Sequence, residues 1–286
     1  MRFRTEIETC PSEWLIGCDT PLVMLGSCFT DEVGARLEAD GFDVLRNPFG
    51  PLYNPLSLAN CICRAADGDA YTAADLVEGP RGFHCLDYAS RYSGADADAL
   101  LCEINDTQAR LHDALCRKPV VVLTLGSGFV YALAADGRVV GNCHKFPASS
   151  FSRSLVGADT LLAALERAVA AVAALGVEHV IVTVSPIRHL ADGLHGNTLS
   201  KSTLQLAAHG LVERSQGCVA YFPSYEIMLD DLRDYRFYAS DMKHPSEVAV
   251  DYIYEKFSDT FFSRQTRDAA IGARRRHLAA LHRPIL

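Results

Sequence analysis

Short apolar runs alternate with amphipathic stretches along the chain, a pattern typical of a sheet whose strands are joined by crossover helices. The run at 120–125 is almost entirely β-branched or aliphatic, as expected of a central parallel strand that is buried on both faces. The predicted strands are 22–25, 42–45, 120–125, 180–184 and 219–222. The predicted helices are about 30–39, 99–116, 159–175, 199–213 and 225–232. These elements predict an α/β fold with a mainly parallel sheet.

Polar and glycine-rich interruptions distinguish the segment 64–118 from the rest of the chain. We interpret it as an insert that carries helices, within a single domain spanning 1–286. An insert at this place could cover a site or shape its substrate groove. The region 264–286 is locally basic and is interpreted as a solvated helix face; its arginines are Arg274, Arg275, Arg276 and Arg283.

The composition of the chain argues against several classes of function. The chain has 286 residues, of which 49% are hydrophobic, so it is long enough to bury a full core. Its net charge is −8 and no basic stripe is sustained, which argues against a nucleic-acid partner. The most apolar stretch, 161–184, is interrupted by charged residues, so no membrane span is predicted. Residues 1–8 lack the apolar core of a signal peptide, and the ten cysteines are expected to be reduced thiols in the cytoplasm.

Two kinds of short motif resemble cofactor-binding patterns, and neither has the required context. Gly126-Ser127-Gly128 precedes an apolar run and the turn pair Asp136-Gly137, which predicts a strand and hairpin where a dinucleotide site would need a helix. Cys61-Ile62-Cys63 and Cys143-His144 lack the spacing of a zinc site. Neither a metal nor an organic cofactor is therefore predicted.

The most informative stretch is 21–32, where an apolar strand ends in Gly26-Ser27 and a helix begins at once. Backbone N–H groups and the dipole at a helix N-terminus favour a developing oxyanion, so Ser27 is a candidate nucleophile. The alternative is that Ser27 or Thr30 only caps the helix. Cys28 lies at the same helix start, where a thiolate could be stabilised, and packing beneath the nucleophile is the role that we predict for it.

A base for such a nucleophile is offered near the end of the chain. Asp241 and His244 lie three residues apart, and Pro245 suits the first turn of the helix that follows. A carboxylate at this spacing could orient the imidazole and stabilise its protonated form. The alternative is a surface histidine with an acidic neighbour.

The motif Gly26-Ser27-Cys28-Phe29-Thr30 resembles the motif that names the GSCFA family, which is similar to the SGNH (GDSL-like) hydrolases. Four further stretches of this chain look like the family, in the expected order: 46–55, 142–147, 185–189 and 241–244. The resemblance implies a three-layer α/β/α fold of SGNH or flavodoxin-like type. It also implies a serine esterase-like site with Ser27 as nucleophile, His244 as base and Asp241 as the residue that orients the base.

The implied oxyanion hole departs from the SGNH pattern. Those enzymes carry an asparagine after a central strand, and this chain has Gly128 there. The implied donors are the backbone N–H groups of Ser27 and Gly50, and we infer that Asn142 replaces the missing amide. Three further side chains are predicted to contact substrate, although a structural ion pair would explain the last two equally well: His144, Arg188 and His189.

The function predicted from these residues is hydrolysis of an ester through an acyl-Ser27 intermediate. The substrate is expected to be a small molecule or an O-acylated carbohydrate, by analogy with the fold alone. Acyl transfer to a sugar hydroxyl by the same residues is one alternative. A binding module without catalytic activity is another, and a Cys/His metal protein is a third.

Overall fold

The computed structural model describes residues 4–80 and 82–281, and its central feature is a parallel sheet of five strands. The strands in the described ranges are β1 Leu22–Gly26, β2 Val44–Arg46, β3 Val77–Gly79, β4 Gly82–His84, β5 Ser93–Gly94, β6 Val120–Leu125, β7 Phe129–Leu133, β8 Val139–Val140, β9 Phe151–Leu155, β10 Val180–Val184 and β11 Val219–Phe222. The central sheet has the order β2-β1-β6-β10-β11, and all neighbouring strands are parallel. The prediction of a mainly parallel α/β sheet is confirmed.

Helices cover both faces of this sheet. They are α1 Phe29–Ala39, α2 Pro55–Asp67, α3 Ala97–Cys116, α4 Ala158–Ala174, α5 Gly193–Arg214, α6 Ser224–Glu226, α7 Glu247–Phe261 and α8 Arg264–Leu281, with a π-helical turn at Ile227–Asp231 after α6. Alternate residues of β1 enter different cores: Val23 and Leu25 pack with α2, α3, α4 and α5, whereas Leu22 and Met24 pack with α1, α7 and α8. The architecture is therefore the predicted three-layer α/β/α arrangement.

The predicted boundaries are most accurate in the buried strands. β6, β10 and β11 agree with the prediction residue for residue, because an uninterrupted apolar run has clear ends. α5 begins at Gly193, six residues before the predicted start, and the predicted helix at 225–232 is a short α-helix that continues as a π-helical turn. The strand and hairpin predicted after Gly128 are present as β7 and β8, and β9 pairs with β7 on its other side.

The segment 64–118 contains more than the predicted helices. It holds the end of α2, the helix α3 and a small antiparallel sheet of the order β3-β4-β5. The strands of that sheet are two or three residues long, too short for their periodicity to be recognised in the sequence. α2 was also not predicted, although its start has a clear signal: the side chain of Asn54 accepts a hydrogen bond from Ser57 N–H and Pro55 follows at the first helical position.

The basic C-terminal region forms α8, which packs on the domain and is not only solvated. The Arg274 guanidinium donates to both carboxylate oxygens of Asp40, at 2.6 and 2.8 Å. Arg283 lies outside the described residues. Within 4–80 and 82–281, none of the helices is both long and apolar enough to cross a bilayer.

Candidate active site

The turn between β1 and α1 is shaped by Gly26. Its φ of +138° favours glycine, and a Cβ added there would lie 2.1 Å from the carbonyl oxygen of Thr124. The Gly26 N–H donates to the Asn47 side chain at 2.9 Å, and the Ser27 N–H donates to Thr124 O at 3.0 Å. The turn therefore lies tightly against the end of β6.

Ser27 lies under this turn and faces the interior. The residue is fully buried, and its hydroxyl accepts a hydrogen bond from Phe29 N–H at 3.3 Å. This contact is local and is not the helix cap considered as an alternative, because Cys28 occupies the cap position of α1 and no side-chain cap is formed there. The next residue, Cys28, is only partly buried and occupies the position that immediately precedes α1. Its thiol is therefore the partly exposed side chain of this turn, at the carboxyl edge of the central sheet.

Asp241 and His244 form a pair on the loop before α7. The Oδ1 atom of Asp241 accepts from the backbone N–H groups of Lys243 and His244, at 2.9 and 3.0 Å. Its Oδ2 atom lies 2.5 Å from His244 Nδ1. These hydrogen bonds hold the pKa of Asp241 well below its usual range. An ionised carboxylate at this place fixes the proton of His244 on Nδ1 and leaves Nε2 free to accept one. Pro245 lies outside α7 and not in its first turn as predicted, because the helix begins at Glu247 and Ser246 caps it.

The Nε2 atom of His244 lies 3.6 Å from Cys28 Sγ. Cys28 is thus the residue of the turn whose side chain contacts the base, whereas Ser27 is fully buried. The role of Ser27 as nucleophile stays a prediction. Asp241, His244 and Cys28 lie together as an ordered chain of carboxylate, imidazole and thiol.

The surroundings of Cys28 favour a neutral thiol in the resting protein. Burial raises the pKa of Cys28, a hydrogen bond from the Tyr53 phenol and the nearby Cys28 N–H lower it, and the acidic residues Asp31 and Glu32 in the first turn of α1 raise it again. The net direction is upward. A thiol of this kind needs a base to remove its proton, which matches the free Nε2 of His244.

The two other predicted oxyanion donors are engaged in local hydrogen bonds. The Gly50 N–H donates to Asn47 O at 2.8 Å, and the Asn142 N–H donates to Leu86 O at 3.0 Å. The side-chain oxygen of Asn142 accepts from His144 N–H. Across the described part of the chain, the hydrogen bonds of Gly50 and Asn142 do not reach the turn at 26–28. Their proposed role at an oxyanion stays a prediction.

His144 lies after β8 and contacts His84 of the small sheet β3-β4-β5. Its Nε2 atom lies 2.9 Å from the carbonyl oxygen of Tyr88, and its Nδ1 atom lies 3.3 Å from His84 Nδ1. Burial, opposed by the hydrogen bond to Tyr88, lowers the pKa of His144, and nearby His84 lowers it further. The predicted contact of His144 with substrate stays a prediction.

Arg188 lies beside the loop that carries Asp241 and His244. Its N–H donates to Lys243 O and its guanidinium donates to Met242 O, both at 3.1 Å, so it supports the loop that carries His244. The guanidinium also lies over the rings of Tyr238 and Tyr235, with 5.3 and 5.9 Å to their centroids. These side chains line a groove of about 240 Å³ together with Met228, Leu229, Arg233 and Asp234.

His189 packs against Tyr53, with ring centroids 5.6 Å apart in an edge-to-face arrangement. Burial lowers the pKa of His189 to about 4, and the positive charges of Lys201, Arg153 and His244 lower it in the same direction. His189 is therefore a neutral imidazole at neutral pH. Its Nε2 atom is buried and has no hydrogen-bond partner within the described ranges.

Lys201 is a polar residue of the site region for which the sequence suggested no role. Its side chain is 1% exposed, and the ammonium donates to Gly126 O at 2.8 Å and to Ser185 O at 2.7 Å. It therefore links the ends of β6 and β10 behind the turn at 26–28. Burial lowers the pKa of Lys201 to about 7.

We expect Lys201 to make the stability of the protein depend on pH. Below pH 7 the folded and unfolded chains are both protonated at this residue, so the folded chain carries the full cost of burying the charge. Between the folded pKa of about 7 and the ordinary value of 10.5, only the unfolded chain holds the proton, so stability should rise with pH by about 1 kcal/mol per unit. Urea unfolding at pH 7, 8 and 9 measures this slope.

Lys201→Met should remove that contribution, whereas the exposed Lys145→Met should retain it. As the pH rises, the free energy of unfolding of wild type should therefore increase relative to that of Lys201→Met. Identical slopes in the two proteins would contradict the prediction.

The fold and this region together define a class: a three-layer α/β protein that brings a carboxylate, an imidazole and a thiol together at the carboxyl edge of its parallel sheet. The sequence profile of the GSCFA family matches residues 21–257. The chain therefore belongs to the GSCFA family. No curated protein matches it. The matched range includes both Cys28 and the Asp241–His244 loop, and no cluster of three or more potential metal ligands occurs in the described part of the chain.

Proposed function

We propose that this protein hydrolyses an ester through a covalent acyl-enzyme, with Cys28 as nucleophile in place of the Ser27 predicted from the sequence. The observation that carries the proposal is the 3.6 Å approach of His244 Nε2 to Cys28 Sγ, with Asp241 on the other nitrogen of the ring. Nucleophile, base and orienting carboxylate in this order are the recurring arrangement of acyl-transfer enzymes. The hydroxyl of Ser27 is fully buried and accepts a hydrogen bond from Phe29 N–H.

The first half of the reaction acylates Cys28. His244 Nε2 accepts the thiol proton as the sulfur attacks the carbonyl carbon of the ester, and a tetrahedral intermediate with a negatively charged oxygen forms. When this intermediate collapses, the carbon–oxygen bond to the alcohol breaks. The alcohol oxygen takes the proton back from His244 and leaves, and the acyl group remains on the sulfur.

The second half regenerates the thiol. Water gives a proton to His244 Nε2 and attacks the thioester, and collapse of the second tetrahedral intermediate breaks the carbon–sulfur bond. The thiolate recovers its proton from His244, and a carboxylic acid is released. A sugar hydroxyl in place of this water would give acyl transfer by the same steps, which is the alternative function that the site would also support.

Two features of the setting support this proposal. Cys28 is a free thiol in the structure, as a thiol nucleophile requires, and a reducing cytoplasmic location is the one that we propose. The sheet order, the nucleophile immediately after the first strand and the base just before a C-terminal helix support a relationship to the SGNH hydrolases. A small-molecule or carbohydrate ester is the substrate class that we propose, and nothing in these steps requires a metal or an organic cofactor.

The test of the proposal is the site of acylation. Purified protein is mixed with p-nitrophenyl acetate, and the release of p-nitrophenolate is followed from the first turnover onward. Peptide mapping after acid quench should find the acetyl group on the peptide that contains Cys28, as a thioester released by hydroxylamine at neutral pH. Acetylation of Ser27, or equal acetylation of exposed Cys102 and Cys116, would contradict the assignment.

Arg188 supports a preference for esters that carry a carboxylate. Its guanidinium lies in the groove beside the His244 loop and donates there to the carbonyl oxygen of Met242, so it can still bind an anion. Arg188→Gln is expected to raise KM for mono-p-nitrophenyl succinate about tenfold and to leave the neutral p-nitrophenyl butyrate unchanged.

The matched control for that variant is Arg233→Gln, in the same groove. Arg233 already has a carboxylate partner, since it lies 3.6 Å from Asp230. Its replacement is expected to change the two KM values equally. An equal change of both KM values in Arg188→Gln would remove the support for an anionic substrate.

A further inference from the structure

The oxyanion of the proposed reaction needs hydrogen-bond donors beside the sulfur, and the Gly50 N–H is already directed to Asn47 O. We propose that the phenol of Tyr53 donates the hydrogen bond that stabilises the oxyanion of the acyl-Cys28 intermediate. This inference rests on the proposed function of Cys28. Tyr53 was not among the site residues predicted from the sequence, where the stretch 46–55 was noted only for its resemblance to the family.

The backbone of Tyr53 is fixed to the same strands that carry the nucleophile turn. The preceding N–H, that of Leu52, donates to Gly26 O at 2.8 Å. The carbonyl oxygen of Tyr53 accepts from Gly126 N–H and Ser127 N–H, at 2.9 and 2.8 Å. The following residue, Asn54, caps α2. Three consecutive residues are thus held by β1, β6 and α2, so the position of the phenol is set before substrate binds.

The ring of Tyr53 is fixed as well. A Cβ added at Gly126 would lie 3.0 Å from Tyr53 O and 3.1 Å from its Cδ1, so the tyrosine packs directly on the glycine backbone at the end of β6. On another side, the ring contacts the neutral imidazole of His189 edge to face. The residue is still 37% exposed, which leaves access for a substrate. A rigid donor costs little reorganisation when charge develops next to it.

The chemistry of the phenol suits this role. A hydrogen-bond interaction with the Tyr53 phenol lowers the pKa of Cys28, so the two side chains are neighbours. Burial and the neighbouring Cys28 together raise the pKa of Tyr53 to about 12, so the phenol keeps its proton and remains a donor. After the sulfur attacks, the negative charge lies on the acyl oxygen, one carbon away from the sulfur. The phenol then donates to that oxygen, and no proton needs to be transferred.

Two reactions of Cys28 separate this role from an effect on the thiol itself. Alkylation by iodoacetamide needs the thiolate, but it forms no oxyanion, because iodide leaves directly. Acetylation by p-nitrophenyl acetate needs the thiolate and also passes through an oxyanion. In Tyr53→Phe, the rate of the first p-nitrophenolate release should fall by about 10²-fold, while alkylation of the Cys28 peptide should fall by much less.

The alkylation rate also reports whether Tyr53→Phe keeps its site intact. Tyr131→Phe is the matched control, because Tyr131 is similarly exposed, at 40%, and lies on β7. It should change neither rate. Equal losses of acetylation and alkylation in Tyr53→Phe, or no loss of acetylation, would overturn the role of Tyr53 alone. A wild-type protein that is alkylated but never acetylated at Cys28 would overturn the proposed function, and the role of Tyr53 with it.

Discussion

Cys28→Ala is expected to lower kcat/KM for p-nitrophenyl butyrate by about 10⁴-fold, whereas Ser27→Ala is expected to lower it by less than about tenfold. The reason is the direction of the two side chains. The Cys28 sulfur lies 3.6 Å from the base, while the Ser27 hydroxyl is buried and accepts from Phe29 N–H. Removing the thiol removes the bond-forming atom, and removing the hydroxyl removes only a local hydrogen bond.

Ser27→Ala should therefore change stability more than rate. The loss of the hydrogen bond that its hydroxyl accepts from Phe29 N–H at the start of α1 should lower the free energy of unfolding by about 1 kcal/mol. Cys102→Ala serves as the control for removing a thiol, because Cys102 is exposed on α3. It should keep wild-type activity. Loss of activity in Ser27→Ala together with full activity in Cys28→Ala would restore Ser27 as the nucleophile.

Asp241→Asn is expected to lower kcat/KM by about 10²-fold or more without disturbing the loop. An asparagine keeps an oxygen that can accept from Lys243 N–H and His244 N–H, so the turn should remain. Its amide nitrogen would then face His244 Nδ1. An N–H donor at this place favours the tautomer with the proton on Nε2, which cannot accept the proton of Cys28.

Asp241→Ala separates the two roles of the carboxylate, because it removes the turn acceptor as well as the partner of the ring. Asp96→Asn is a matched control: the side chain of Asp96 accepts from N–H groups two and three residues ahead in the same pattern, with no histidine involved. It should leave kcat/KM unchanged. Unchanged kcat/KM in Asp241→Asn would contradict a tautomer-fixing role for Asp241.

The sequence predicts the sheet well because its signal is local. β6, β10 and β11 are apolar runs with clear ends, and the alternation that divides β1 between two cores follows from the pleat of any buried strand. The two- and three-residue strands of the small sheet β3-β4-β5 have no such signal. Their pairing depends on contacts made only after the chain has folded, so they could not be recognised in the sequence.

In the candidate site, too, only the features with a local signal could be predicted from the sequence. Asp241 and His244 are three residues apart, and a short loop is enough to bring them together, so spacing alone indicates the pair. Which neighbour in the β1–α1 turn meets the base depends on the φ of Gly26 and on its approach to Thr124, and residue types do not reveal this. The position of Cys28 at the helix start was visible in the sequence, but its direction was not.

Cys28 and His244 lie 216 positions apart in the chain, and this separation has a consequence during protein synthesis. The thiol is made before the histidine that activates it. A nascent chain or a truncated fragment that lacks the Asp241–His244 loop carries a thiol without its base. In the proposed enzyme, chemical competence is therefore acquired only after this loop has been made, so turnover reports a chain that extends at least to His244.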